Sequence, residues 1–122
     1  MILGLGVDLV SNARIQRLVN SYGERFLNKI FCKEELEYAY SKKDPYPHLA
    51  AAFATKEAFF KATRGYSPFV FKEINLLRSK SGAPELRLLG SAAEKVKKLG
   101  VAHIWVALSH EKDYTVSIVI LT

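Results

Sequence analysis

From Leu3 the chain alternates strictly: Leu3, Leu5, Val7 and Leu9 point one way, and Gly4, Gly6 and Asp8 the other. Alternation with period two predicts a strand, here with a glycine-lined face that ends in a carboxylate. Ser11 or Asn12 can cap the next helix, whose Ile15, Leu18, Val19 and Tyr22 recur at helical spacing. Gly23 punctuates that helix, and a short helical turn with Phe26, Leu27 and Ile30 follows. The segment CKEELEYAYS predicts another helix, stopped by the loop KKDPYP. A long helix is predicted from His48 to Arg64, with Gly65 closing it.

Beyond Gly65 the period changes. FVFKEINLLRS and PELRLL are strand-like and joined by a turn through KSGAP. Ser91 to Leu99 predict a short amphipathic helix ended by Gly100. AHIWVALS and YTVSIVIL predict a hairpin across HEKD. The order is strand, helices, hairpin, helix, hairpin. Clustered hairpins after clustered helices indicate an α+β fold, a small antiparallel sheet with helices packed on it, and not a doubly wound sheet. No repeat, linker or low-complexity tract divides the chain, so 122 residues make one domain, large enough for a real core.

Composition narrows the function only in part. Apolar residues at 49% and charged ones at 25% are ordinary for a globular protein. The single cysteine, Cys32, excludes an intrachain disulfide and a multi-thiolate metal site, and fits a reducing cytoplasm. The apolar N-terminus is broken by Asp8 and has no basic leader, so it reads as neither a signal peptide nor a membrane span. A net charge of +6 suggests an anionic partner: nucleic acid, a phosphate-rich cofactor or an acidic protein.

Four features could carry chemistry. Asp8 stands on a strand face otherwise made of glycine. FATKEAFFKA places Glu57 and Lys61 four residues apart on one helix face, a spacing that by itself also decorates ordinary helix surfaces. His110 follows Ser109 at a strand end, where a polar turn residue is equally at home. Arg14, Arg17 and Arg25 would usually be a solvated helix face. GLGVDL lacks the third glycine of a dinucleotide-binding loop. His48 and His103 read as structural or surface residues, and no His and Cys spacing resembles a zinc site.

Taken together, GVDLV, FATKEAFFKA, SGAP and LSHEKDY occur in an order and spacing that resemble the holo-acyl-carrier-protein synthases, the short class of phosphopantetheinyl transferases, over essentially the whole chain. The resemblance implies transfer of 4′-phosphopantetheine from coenzyme A to a serine of apo-acyl carrier protein, with release of 3′,5′-ADP, in fatty acid biosynthesis. It also implies a homotrimer with active sites at subunit boundaries. Magnesium prefers oxygen ligands and typically uses one or two carboxylates plus substrate phosphates, and Asp8 and Glu57 supply such a pair. Lys61, one turn beyond Glu57, can reach the same phosphates as a point charge. The serine proton goes either to Glu57 directly or to a magnesium-bound water oriented by Glu57 and Asp8. The second route is favoured, because a magnesium-ligating carboxylate is a poor base.

By the same resemblance, Gly65, Gly82, Pro84, Ser109 and His110 contact the nucleotide part of coenzyme A. Arg14, Arg17 and Arg25 would dock the acidic helix of the carrier protein, with Leu18 as the apolar centre of that contact. Two positions depart from the family pattern: Ala52 replaces an arginine before the motif's phenylalanine, and Ala83 replaces a basic residue in the glycine-proline turn. Both remove positive charge near the nucleotide phosphates. The alternatives are a small basic nucleic-acid-binding module and a catalytically silent paralogue that binds coenzyme A. The first lacks the interleaved aromatic and basic residues of an RNA-binding sheet, and the second would show no magnesium dependence.

Overall fold

The computed structural model describes residues 1–122. Strand β1 (Gly4–Ser11) pairs antiparallel over its whole length with β5 (Tyr114–Leu121), setting Asp8 opposite Ser117. On its other side β5 pairs with β4 (Ile104–His110), giving a three-stranded antiparallel sheet ordered β1-β5-β4. Strands β2 (Ile74–Arg78) and β3 (Pro84–Leu88) form a separate hairpin. The helices are α1 (Asn12–Tyr22), α2 (Glu24–Ile30), α3 (Lys33–Tyr40), α4 (Tyr46–Ala62) and α5 (Gly90–Leu99). The α+β arrangement with antiparallel pairing is the one expected from the element order. No helix is long and apolar enough to cross a membrane.

Helix α4 is the axis of the molecule. Its Leu49, Ala50, Ala54, Ala58 and Phe59 are fully buried, because small residues on several faces let neighbours close in from all sides. Strand β1 approaches most tightly: a Cβ on Gly4 would overlap the carbonyl oxygen of Ala62, and one on Gly6 that of Ala58. The glycine face of β1 is therefore the face that seats the strand on α4. The alternating leucines look away from it, with Leu5 60%, Val7 51% and Leu9 63% exposed. Trp105 of β4 and Ile118 of β5 are exposed beside them, so the outer face of this sheet is apolar and uncovered.

Local details refine the sequence reading. Ser11 is the cap of α1, its hydroxyl accepting from the Arg14 N–H. Asn12 instead ties the β4–β5 turn to α1, donating to the Lys112 carbonyl and accepting from Thr115. The predicted strand FVFKEINLLRS is only half a strand: Phe71–Glu73 form a 3-10 turn, and pairing starts at Ile74. Other partners take up that turn. Lys56 Nζ donates to the carbonyls of Phe71 (3.1 Å) and Ile74 (2.5 Å), and the Glu73 carboxylate accepts from Ser91 N–H at the start of α5. At the end of α4 the chain turns through Arg64 and Gly65, both at positive φ.

Candidate active site

Two elements, β1 and α4, bring Asp8, Glu57 and Lys61 to one place. The tight seat of β1 on α4 aims Asp8, on the glycine face, along the helix surface that carries the other two. Lys61 Nζ donates to Asp8 Oδ1 at 3.0 Å and to the Val7 carbonyl at 3.1 Å. The ammonium is thus held by the strand, and it forms no ion pair with Glu57, its neighbour one helical turn away. The Asp8 side chain is 16% exposed and that of Lys61 52%, so this pair lies at the rim and is open to exchange with a ligand.

Glu57 is half-buried and takes part in none of the molecule's ion pairs. Burial raises its carboxyl pKa, and the charge of Asp8 raises it further, while Lys61 and Arg14 pull it back less strongly. Two carboxylates that repel each other at a wet rim, one of them short of compensating charge, form a donor set that a hard divalent cation relieves. No third His, Cys, Asp or Glu joins them. That suits magnesium, which keeps waters and takes substrate phosphate oxygens, better than a closed all-protein cage.

The residue before Glu57 carries a signal that the pattern of the sequence did not reveal. Lys56 is fully buried, with its ammonium 2.8 Å from Glu35 Oε1. Burial pulls its pKa down, and the Glu35 charge opposes that shift. A lysine inside a helix reads as solvated by default. The one available clue was its position on an otherwise apolar, alanine-rich helix.

The other candidate residues lie apart from this cluster. Ser109 sits on the outer face of the sheet, and His110 is exposed beside it, its ring 6.3 Å from that of His48. Both line a 160 Å³ hollow with Leu9, Glu111, Tyr114 and Val116. Gly82, at φ +88°, and Pro84 belong to the β2–β3 turn, and Gly65 follows α4 with the Phe60 ring against it. No hydrogen bond or ion pair joins any of the five to Asp8, Glu57 or Lys61.

Arg14 is exposed, with its guanidinium 5.8 Å from the centre of the Phe53 ring. Arg17 is exposed and Leu18 half-buried against the core. Arg25 lines a 280 Å³ hollow with Tyr22, Phe26 and Lys29. The largest hollow, 410 Å³ between Tyr66–Pro68 and α5, shares no residue with the acidic cluster. Neither Asp8 nor Glu57 lines any of the chain's four hollows.

Comparison with known proteins shows the family. Residues 4–119 match the family model of the 4′-phosphopantetheinyl transferase superfamily. The chain is 38% identical over 122 residues to the holo-[acyl-carrier-protein] synthase of Thermodesulfovibrio yellowstonii, covering all of both chains. It is 44% identical to that of Carboxydothermus hydrogenoformans, covering 95% of this chain and 94% of the relative. Among solved structures, the holo-[acyl-carrier-protein] synthase of Neisseria meningitidis superposes with a TM-score of 0.89 at 33% identity, covering 100% of this chain and 99% of that one. That of Helicobacter pylori, solved in complex with coenzyme A, gives 0.84 at 27% identity over 97% and 99% of the two chains.

Proposed function

The chain belongs to the 4′-phosphopantetheinyl transferase superfamily, and from that premise we propose how its residues do the work. Its activity is transfer of the 4′-phosphopantetheine group from coenzyme A to a serine of apo-acyl carrier protein. In the reaction the serine oxygen bonds to the β-phosphorus of the pyrophosphate, the bond from that phosphorus to the bridging oxygen breaks, and 3′,5′-ADP leaves with the bridging oxygen. Asp8 and Glu57 would hold magnesium, which when bound would supply positive charge to the pyrophosphate.

Lys61 is already aimed at the Asp8 carboxylate and half-exposed. It can exchange that contact for a phosphate oxygen and stabilise charge developing on the leaving side. Glu57 is the chain's own candidate to receive the serine proton at its carboxylate. In the chain without a cation, burial and then Asp8 hold its pKa above the ordinary carboxylate value, and a cation on the same carboxylate works against that shift.

The convergence of Asp8, Glu57 and Lys61 across β1 and α4 carries this reading. Its test is direct: incubate the protein with coenzyme A, magnesium and an apo-carrier protein, and look by mass spectrometry for the mass of one added phosphopantetheine. Absence of that adduct, on a carrier that another transferase loads, overturns it.

The rest of the site calls for a second copy of the chain. Ser109, His110, Gly82 and Pro84 serve the nucleotide from a neighbouring subunit in a homotrimer whose interface is the outer face of the sheet. In support, Leu5, Val7, Leu9, Trp105 and Ile118 expose neighbouring apolar side chains on one sheet face, the kind of surface that marks an interface. Ser109 lies on that same face. Arg14, Arg17 and Arg25, with Leu18 between them, receive the acidic carrier protein. Supporting this, none of the three arginines is engaged in an ion pair. A cytoplasmic location fits a chain whose single cysteine is buried and reduced.

A further inference from the structure

Lys56 and Glu35 form the most enclosed ion pair in the molecule, with side chains 0% and 1% exposed. Every donor of the Lys56 ammonium is used: Glu35 Oε1 at 2.8 Å, the Phe71 carbonyl at 3.1 Å and the Ile74 carbonyl at 2.5 Å. Glu35 is equally committed. Its Oε1 also accepts from the Cys32 N–H at 2.9 Å, closing the capping box of α3, and its Oε2 accepts from the Leu76 N–H at 2.8 Å. One side chain from α4 and one from α3 thus fasten the 3-10 turn, the start of β2 and the start of α3 to the same point of α4.

Stability alone does not account for such a pair. Desolvating two ions costs several kcal/mol, and apolar residues of similar volume often serve a core as well or better. What the pair supplies and an apolar contact lacks is direction, since each hydrogen bond has a required angle. Lys56 directly precedes Glu57, about 100° around the helix from it. The opposite constraint on α4 comes from Gly4 and Gly6, which fix how closely β1 lies on the helix. Close approach sets the distance between strand and helix, and the buried Thr55–Ser117 hydrogen bond, 2.8 Å, ties the sheet side of the helix to β5. Lys56 supplies the directional hold toward α3 and the 3-10 turn.

We propose that Lys56, locked by Glu35, is a positioning residue that fixes the rotation of α4 and so holds the Glu57 carboxylate beside Asp8. The inference rests on the reading of Asp8 and Glu57 as one cation site. The lever is large enough to matter. A side-chain tip lies about 5–6 Å from a helix axis, so a turn of about 10° moves it by about 1 Å. A displacement of that size at a reacting centre can cost about 100-fold in rate.

The test uses the full-length chain and manganese(II), an oxygen-seeking cation read by electron paramagnetic resonance without any turnover. Two variants are made: Lys56→Met, and the double variant Glu35→Gln with Lys56→Met, which keeps an acceptor for one of the Cys32 and Leu76 N–H groups and leaves no buried charge. Glu57→Gln serves as the control that assigns the bound manganese to this site. The expected result is a double variant that unfolds cooperatively, binds manganese at least about tenfold more weakly, and loses about 10- to 100-fold in kcat. Its KM for carrier protein should stay within about twofold. A folded double variant with unchanged manganese affinity and kcat overturns the proposal, because the pair is then merely structural. So does failure of both variants to fold, which would make the pair a requirement for folding first. Should the wild type bind manganese through Glu57 yet transfer nothing to carrier protein, the proposed function fails while the manganese comparison still decides the role of Lys56. A wild type whose manganese signal ignores Glu57→Gln overturns the inference whatever the transfer assay shows.

Discussion

Lys56 and Lys61 stand five residues apart on one helix, on either side of Glu57, and each is paired with a carboxylate near 3 Å. Their surroundings make them different devices. Lys56 is sealed from solvent, all three donors are spent on fixed partners, and the partner carboxylate is spent too. Lys61 is half in solvent, holds Asp8 and one carbonyl, and can change partners. The same two functional groups thus make a fixture in the interior and a movable charge at the rim. Net charge and motif spelling cannot tell them apart, but enclosure can.

The strongest way to break this comparison is at the two carboxylates of the rim. Asp8→Asn and Glu57→Gln should each abolish most transfer while the circular dichroism spectrum stays that of the wild type. The check is initial rate against magnesium concentration. A variant that keeps near-normal turnover at limiting magnesium removes that residue from the cation site.

Next come the lysine and its interior counterpart. Removing a single donor to developing charge typically costs about 2.7–4 kcal/mol, or two to three orders of magnitude in rate. Lys61→Ala should lose turnover on that scale, yet change stability by no more than about 1 kcal/mol because its ion pair is exposed. Lys61→Arg should recover part of the rate, a planar fork replacing a point charge. The interior pair should behave in the opposite way: Glu35→Ala leaves the Lys56 charge buried and unpaired, and should cost about 3–5 kcal/mol in denaturant unfolding. If Lys61→Ala lowered stability as much as Glu35→Ala and left kcat alone, the distinction between the two lysines would be lost.

Much of this was legible in the sequence and some was not, for physical reasons. The alternation from Leu3 to Leu9 and the helical spacing of Ile15, Leu18 and Val19 are local, so they fixed element type and order. The FATKEAFFKA segment carried the resemblance and placed Glu57 beside Lys61. Three things depend on tertiary contacts and left no local trace. Which face of β1 is covered was decided by the backbone of α4, which admits only glycine there. The partner of Lys61 proved to be Asp8, 53 residues away. The partner of Lys56 is Glu35, 21 residues away, in a helix whose local pattern does not mark a buried acid. The start of FVFKEINLLRS failed as a strand because its carbonyls serve that same lysine.

A third kind of cation sharpens the comparison further: Arg14, Arg17 and Arg25, which have no carboxylate partner at all. Charge reversal there should weaken apparent affinity for carrier protein by several-fold and leave the dependence on coenzyme A nearly unchanged. Added salt should act on the wild type in the same direction, since exposed charges are screened over about 10 Å at 0.1 M ionic strength. Arg14→Glu should have the largest effect and Arg17→Glu the smallest, in rates measured against carrier concentration. Three unmoved curves and salt-independent turnover would place the carrier elsewhere.

The smallest effect concerns Glu57 itself, which has a fixed lysine behind it and a movable one ahead of it but pairs with neither. Burial first, and Asp8 second, hold its pKa above the ordinary carboxylate value. The folded state therefore keeps this proton to higher pH than the unfolded chain does. Between the two pKa values the native state binds more protons, so the stability contributed by protonated Glu57 is complete below the unfolded value and is lost as pH rises through the folded one. Glu57→Gln, neutral at every pH, should escape that loss. Its melting temperature should exceed that of the wild type by a few degrees at neutral pH, and the gap should close as the solution is acidified below the ordinary carboxylate range. Adding magnesium should narrow the gap from the other side, by stabilising only the chain that has both carboxylates. A glutamine variant no more stable than the wild type at neutral pH, with no change on acidification, would mean that Glu57 already has its charge fully compensated within the chain, and the case for a bound cation at this rim would lose its electrostatic ground.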